Sequence, residues 1–461
     1  MDARYVDVPA GTVYFERVGE GKPMFWQIML SGRSCEITSG AIGKPGKTTK
    51  KTFEDEHDAR RQHNTLIDAK LAAGYAYALT GKPPNPPAVA AHDARLAAQL
   101  ATDPSDAALA VYADWLQEHG DVRGELAALQ LATQPDKKLA TAIDKLLRTY
   151  RGYFYGPLAP YVKKPATPQE DVPVTAMWRG GWIDRLELSV IENWQPESLR
   201  VGDVVPLIQH VPHVASAQFL RELVIARPCK SSASDFRAVV TALADVLPKL
   251  PTVRRLAIAD WDRVRQQNMG ALQKLWKAAR HLESVKLCAA TMILGKIALP
   301  ACRELHVEMR GLSKENVKSI TSATWPALET LRIWSGDWDE GATFKDLAPI
   351  LDAKGFAKVK HLGLKIAARF GDKIVAAIPS SKILRQLETL AMSGVDTELL
   401  ERHLLPHKAA FAKLAHLDLS YCWLDAKGVK LARTLAKSVD TSNQYKLPSN
   451  DPEEHYEDAG E

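Results

Sequence analysis

The sequence predicts an α/β chain of 461 residues built from successive parts: a small β-rich domain, a helical domain, and a long solenoid with one strand and one helix per repeat. Three observations carry this reading. A pattern close to L-x-x-L-x-L recurs at least eight times from Leu220 onward. Before Glu54, β-branched and aromatic residues alternate at period two, as half-buried strands require. Between Ala94 and Ala132, apolar residues instead fall at helical spacing.

Composition allows this and narrows little else. With 46% hydrophobic and 25% charged residues, the chain can bury ordinary globular cores, in roughly two to four domains. A net charge of +5 selects neither nucleic acid nor a membrane surface. No stretch is apolar enough to span a bilayer, and "MDARYVDVPAG" is no secretory leader, so a cytoplasmic protein without a membrane partner is expected. The five cysteines (Cys35, Cys229, Cys288, Cys302, Cys422) are scattered and never in C-x-x-C spacing. They read as reduced structural residues, and no metal or other cofactor is implied.

Residues 1–80 open with the strand-like runs "TVYFERV", "MFWQIMLSG" and "SCEITSGAIG" and end on a helix from Glu54 that closes at Gly74. The stretch "SGAIGKPGKTTKKTF" has the tail of a phosphate-binding loop in Gly46-Lys47-Thr48. The required first glycine, however, is Ala41, and Pro45 removes a backbone donor. The run after Thr48 also reads as a strand, where a phosphate loop needs a helix. The segment resembles the WGR domain, known from poly(ADP-ribose) polymerases and bacterial regulators. The matching residues are Phe25-Trp26-x-Ile28, Gly40-x-Ile42-Gly43, Gly46-Lys47, Lys51-x-Phe53, Ala59, Lys70 and Gly74-Tyr75. By this resemblance the glycines belong to a β-turn and the strand after it. The motif that names the family reads Ser39-Gly40-Ala41 here, so the Trp and Arg that meet DNA in relatives are missing. Arg33, Lys44, Lys47, Lys50 and Lys51 leave a basic stripe with Glu36 opposing, fit at most for weak, salt-sensitive nucleic-acid contacts.

Residues 81–93 are a proline-rich linker, "GKPPNPPAVAAHD". Residues 94–177 read as helical, with Asp103-Pro104 opening one helix and Gly120 ending it. Asp103-Pro104, Tyr112-Ala113-Asp114-Trp115-Leu116, His119-Gly120-Asp121 and Arg123-Gly124-Glu125 resemble the repeat-companion domain found before repeats in bacterial paralogue families. That resemblance implies no chemistry, and His119 with Asp121 reads as helix capping.

Residues 178–438 form the array. After an expected opening strand, "IDRLEL" from Ile183, come "LRELVI" (Leu220), "VRRLAI" (Val253), "LESVKL" (Leu282), "CRELHV" (Cys302), "LETLRI" (Leu328), "VKHLGL" (Val359), "LETLAM" (Leu387) and "LAHLDL" (Leu414). Steps run mostly 26 to 33 residues, with one of 20 from Leu282 to Cys302. One short parallel strand plus one helix per step is a leucine-rich-repeat solenoid. It resembles the ribonuclease-inhibitor type, although no repeat has the usual Asn after its strand. The leucines should point inward and the alternating residues should line the concave face. Candidate protein-binding residues on that face are Arg255, Lys286, His306, Arg332, Trp334, His361 and Lys365, with Trp261, Trp338 and Trp423 at strand ends. No H-E-x-x-H or G-x-S-x-G occurs, and Cys302 and His306 in one extended strand would stand roughly 13 Å apart.

Residues 439–461 read as a disordered acidic tail. The expectation is therefore a non-enzymatic bacterial recognition or adaptor protein in a regulatory, signalling or defence setting. It would bind a protein partner and no small-molecule substrate. A nucleic-acid-binding regulator acting through the first domain is one alternative. The other is a substrate of a partner enzyme or protease, cleaved in the linker or tail.

Overall fold

The computed structural model describes residues 5–6, 12–17, 22–73, 75–77, 79–80, 92–132, 137–162, 172–189, 204–227, 236–258, 268–338, 341–366 and 371–445. The linker at 81–91, Gly74, Cys229, Trp261 and the stretch 446–461 lie outside them. The chain is mixed α/β and divides into two compact units, Met1–Ser231 with Asp245–Val253, and Ser232–Ala244 with Arg254–Glu461. Among the described residues no helix is long and apolar enough to cross a membrane.

The first unit begins with a sheet of five strands, β1 (Thr12–Arg17), β2 (Met24–Ser31), β3 (Ser34–Ala41), β4 (Lys47–Thr52) and β5 (Ala76–Tyr77), in the order β4-β3-β2-β1-β5. Alternation sends Val13, Phe15, Trp26, Ile28, Leu30, Cys35 and Ile37 to one side, where they pack with Ala59 and Ile67 of helix α1 (Glu56–Ala72). Val13, Trp26 and Cys35 belong to different strands, so this small core closes through long-range pairing. On the other side the Tyr14 and Phe25 rings stack, 5.5 Å apart. In the β3–β4 turn Gly43 holds a left-handed φ of 82°, and Phe25 explains Gly46. A Cβ at Gly46 would lie 2.6 Å from Phe25 Cζ and 2.9 Å from the Ser39 carbonyl. The chain continues from Thr48 as a strand, so no helix stands under this turn as a phosphate loop would need.

The same unit continues with helices α2 (Ala94–Thr102), α3 (Asp106–Glu118) and α4 (Val122–Leu131). Each starts on an oxygen that accepts from the free backbone N–H groups of the first turn, supplied by Asp93, Ser105 and Asp121. The α3 cap is thus Ser105, and Asp103 instead accepts from the Ser105 amide. Leu96, Leu100, Leu109, Tyr112 and Leu116 pack with Trp182 and Phe219. Strands β6 (Val174–Arg179) and β7 (Trp182–Ser189) form an antiparallel hairpin, so 177 and 178 sit within one strand. β8 (Glu222–Arg227) pairs parallel to β7.

In the second unit the strands β9 (Arg255–Ile258), β10 (Ser284–Cys288), β11 (Glu304–Gly311), β12 (Thr330–Trp338), β13 (His361–Ile366), β14 (Thr389–Met392), β15 (His416–Asp418) and β16 (Val439–Asp440) pair parallel, each with the next. Leu256, Val285, Leu287, Leu305, Leu331, Leu362, Leu390 and Leu417 are buried between the sheet and the elements that return the chain. Those returns include helices Gln273–Ala278, Lys314–Ser322, Phe344–Leu351, Gly371–Ala377 and Ala426–Ala432.

The structure corrects three expectations. The short step between Leu282 and Cys302 has no helix. Strand Thr291–Ile293 fills it and pairs parallel with Asn268–Ala271. The one helix expected in the step between "LETLAM" and "LAHLDL" is broken into α, π and 3-10 turns across Thr397–Phe411. Pro406 is the cause, since it has no N–H to donate and its ring displaces the preceding turn. Residues 439–445 are ordered rather than tail. β16 pairs with β15, and the Gln444 side chain donates to the Leu419 carbonyl and accepts from the Leu424 amide.

A candidate protein-binding face

The parallel register of the second unit lines up residues that are far apart in sequence. One row runs Arg255, Ser284, Glu304, Thr330, His361, Thr389, His416, and the next runs Ala257, Lys286, His306, Arg332, Gly363, Ala391, Asp418. A third joins Cys288, Glu308, Trp334 and Lys365. All seven sequence-predicted face residues therefore share one side of one sheet.

They do not share one environment. Arg255, Lys286 and Arg332 are exposed, His361 and Trp334 are half-buried, and His306 is buried. His306 sits under Trp334, its ring 4.6 Å away and edge-on. Burial, with Lys286 and Arg332 on either side, pushes the imidazole down to about 3, so it is neutral at physiological pH. His306 is a support for the surface, not an exposed contact as alternation alone implied.

Lys365 also differs from the expectation, with a side chain only 12% exposed. Its ammonium lies 3.1 Å from Asp418 Oδ2 and donates to Ser420 Oγ at 2.9 Å. It stands 5.2 Å from the Trp334 ring centre and 5.5 Å from that of Tyr421. The arrangement is a cation held between two aromatic faces and neutralised by one carboxylate, which fixes the tilt of Trp334. Arg332 pairs with Glu304 at 3.4 Å at the surface. Gly363, beside Arg332, leaves it room, since a Cβ there would approach Arg332 Cγ to 3.2 Å.

The aromatic surface extends beyond the predicted residues. Tyr421 is 47% exposed and holds a left-handed φ of 55°. Its ring meets Tyr445 at 6.0 Å, and Tyr445 meets Trp423 at 5.3 Å. A non-glycine residue in that backbone region is uncommon and is kept only where its surroundings hold it. Tyr421 and Tyr445 come after the last leucine pattern, outside the alternation that selected the other face residues.

Buried thiols and acids in this unit are structural in their contacts. Cys302 donates to the Glu304 carbonyl at 3.2 Å, and burial pushes its thiol up to about 12. Burial likewise pushes Glu308 up to about 7, against the opposing pull of a hydrogen bond from Cys288 and the charge of Lys286. Among the described residues Cys35, Cys288, Cys302 and Cys422 are all buried. His119 Nδ1 lies 2.7 Å from the Trp115 carbonyl, and Asp121 caps α4, so this pair does the capping work read from the sequence.

The basic stripe of the first domain runs along the edge strand β4, which is exposed throughout. Lys47 and Lys51 stand opposite Ser39 and Cys35, on the core side of the sheet, whereas Lys50 stands opposite Glu36 on the other side. Arg33 and Lys44 occupy the turns at either end. The pleat thus divides these charges between two faces. Lysines on an exposed edge also hinder pairing with foreign strands.

These features define a mixed α/β protein with a small N-terminal β-rich region. Residues 11–82 are a WGR domain, matching that family over this stretch. No curated protein matches the chain. Among solved structures it is similar to a crystallised protein from Bacteroides fragilis, at 17% identity and a TM-score of 0.50. That alignment covers 95% of this chain and 98% of the other, and the likeness speaks to fold alone.

Proposed function

We propose that this chain is a non-enzymatic recognition or adaptor protein in a regulatory, signalling or defence setting. Its second unit acts as a leucine-rich-repeat-like solenoid that binds a protein partner through the concave side of its sheet, with a repeat-companion domain preceding it. The observation that carries the reading is the Trp334 cluster. A large ring is held half-exposed by His306 beneath it and by Lys365 beside it, with Arg332 exposed next to it. Tryptophan and arginine anchors on a supported surface are the residues that dominate protein interfaces.

The test is capture from the native host by the parent chain and by the Arg332→Ala/Trp334→Ala variant, read by mass spectrometry. A partner should be retained by the parent and lost by the variant, while far-UV dichroism stays unchanged. A partner retained equally by both would move the interface elsewhere.

A further inference from the structure

Resting on that reading of the face, we infer that the segment it receives is acidic: an extended stretch whose Asp or Glu side chains bridge Lys286 and Arg332, with an apolar side chain laid against Trp334. The register sets Lys286, His306 and Arg332 on three consecutive strands. The two cations are therefore roughly 10 Å apart, between the roughly 7 Å and 13 Å that separate same-face side chains two and four residues apart in an extended chain, a difference that long Lys and Arg side chains can take up. Between them His306 is buried and neutral, so the floor of this row carries no opposing charge.

Of the acids on this side, Glu308 lies one row further in beside Trp334, where burial raises its carboxyl to about 7 against the charge of Lys286, and the other two are engaged within the face. Asp418 is held by Lys365. Glu304 accepts from Ser284 Oγ at 3.0 Å and pairs with Arg332. That last pair is 45% and 40% exposed, a surface contact that an incoming carboxylate can exchange with little loss. Small residues, Ala257 at one end and Gly363 and Ala391 at the other, leave the row low enough for a backbone to cross the strands. Charge complementarity thus favours a carboxylate-rich segment over a basic or neutral one.

The test uses the full chain and fluorescein-labelled peptides read by anisotropy. The probe alternates glutamate and alanine around one phenylalanine, and control peptides carry glutamine or lysine in place of glutamate. The glutamate peptide should bind, and the glutamine peptide should bind at least about tenfold more weakly. Raising salt from about 50 to about 500 mM should weaken the first and leave the second unchanged, because screening acts on the charge term. Lys286→Ala and Arg332→Ala should each weaken the glutamate peptide, and Lys286→Glu with Arg332→Glu should transfer preference to the lysine peptide. Equal binding of the glutamine peptide, indifference to the charge reversal, or no binding of the glutamate peptide up to about 1 mM overturns the proposal. The fate of the underlying reading is separable. If the glutamine or lysine peptide binds and Trp334→Ala abolishes it, the face stands and only the acidic class falls. If peptides bind and Trp334→Ala changes none of them, both fall.

Discussion

Replacing Arg123 by methionine should destabilise the first unit severely. Arg123 and Asp121 are 4% and 0% exposed and joined at 2.5 Å. Tyr153 donates to the same carboxylate at 2.7 Å, and the guanidinium lies 4.5 Å from the Trp182 ring centre. Methionine fills much of the volume but leaves the buried carboxylate with a lone phenol and backbone donors. Removing one partner of such a pair costs about 3–5 kcal/mol. For a region of this size, that lowers Tm by roughly 10 °C. Thermal melting monitored by intrinsic fluorescence is a direct assay, since Trp182 reports from inside the site. Adding Asp121→Asn keeps the acceptor for Tyr153 and removes the stranded charge. The double variant should therefore recover about 1–3 kcal/mol relative to Arg123→Met alone. The pH effect has a definite sign. Burial raises the Asp121 carboxyl, but its bonds to Arg123 outweigh this and hold it below the ordinary range. The stability it contributes is complete above the unfolded value of about 3.9 and is lost as pH falls below it. The deficit of Arg123→Met should accordingly shrink under acid. A melt within about 1 °C of the parent at neutral pH, or a double variant no better than the single, would refute this account of the triad.

Two further outcomes can be checked in the second unit. Glu308 has its folded value raised from 4.5 to about 7, so the native state holds a proton that the unfolded state has released between those limits. Stability should fall as pH rises through that window, and Glu308→Gln should gain on the parent above pH 7 and lose the gain below 4.5 in urea titrations. At the N-terminal ends of the strands, Arg254 pairs with Glu283, Arg303 with Glu329 and Lys360 with Glu388, an alternation that stops at Ala415. Ala415→Lys should raise the urea midpoint slightly and Ala415→Glu should lower it, a difference that about 1 M salt should erase.

Much of this fold is legible because the strand pattern is local. Leucines at alternate positions declare which side is buried, and every L-x-x-L-x-L run in the second unit forms a parallel strand. The same alternation sets Arg332, Trp334 and Lys365 on one side. It could not tell that Lys365 reaches Asp418 and Ser420, because that contact spans 55 residues and two intervening returns of the chain. Nor could it foresee the Asn268–Ala271 strand, within which the Asn268 side chain accepts from the Gly270 amide and Gly270 holds a left-handed φ of 66°. In the WGR domain the family glycines were readable, but the reason for Gly40 and Gly46 lay partly in Phe25, a residue on the neighbouring strand.

The charge alternation has a consequence for how such a chain can grow or shrink. Along the strand starts the backbone N–H of each residue reaches the carbonyl before it, from Arg254 to Glu283, Arg303, Glu329, Lys360 and Glu388 in turn. A sequence of alternating sign has a parity. Deleting one strand with its return, such as that of Arg303, would set Glu283 against Glu329, whereas deleting two would restore opposite neighbours. Length changes in steps of two leave the row intact, and a strand that slips by one position along the sheet meets its own sign.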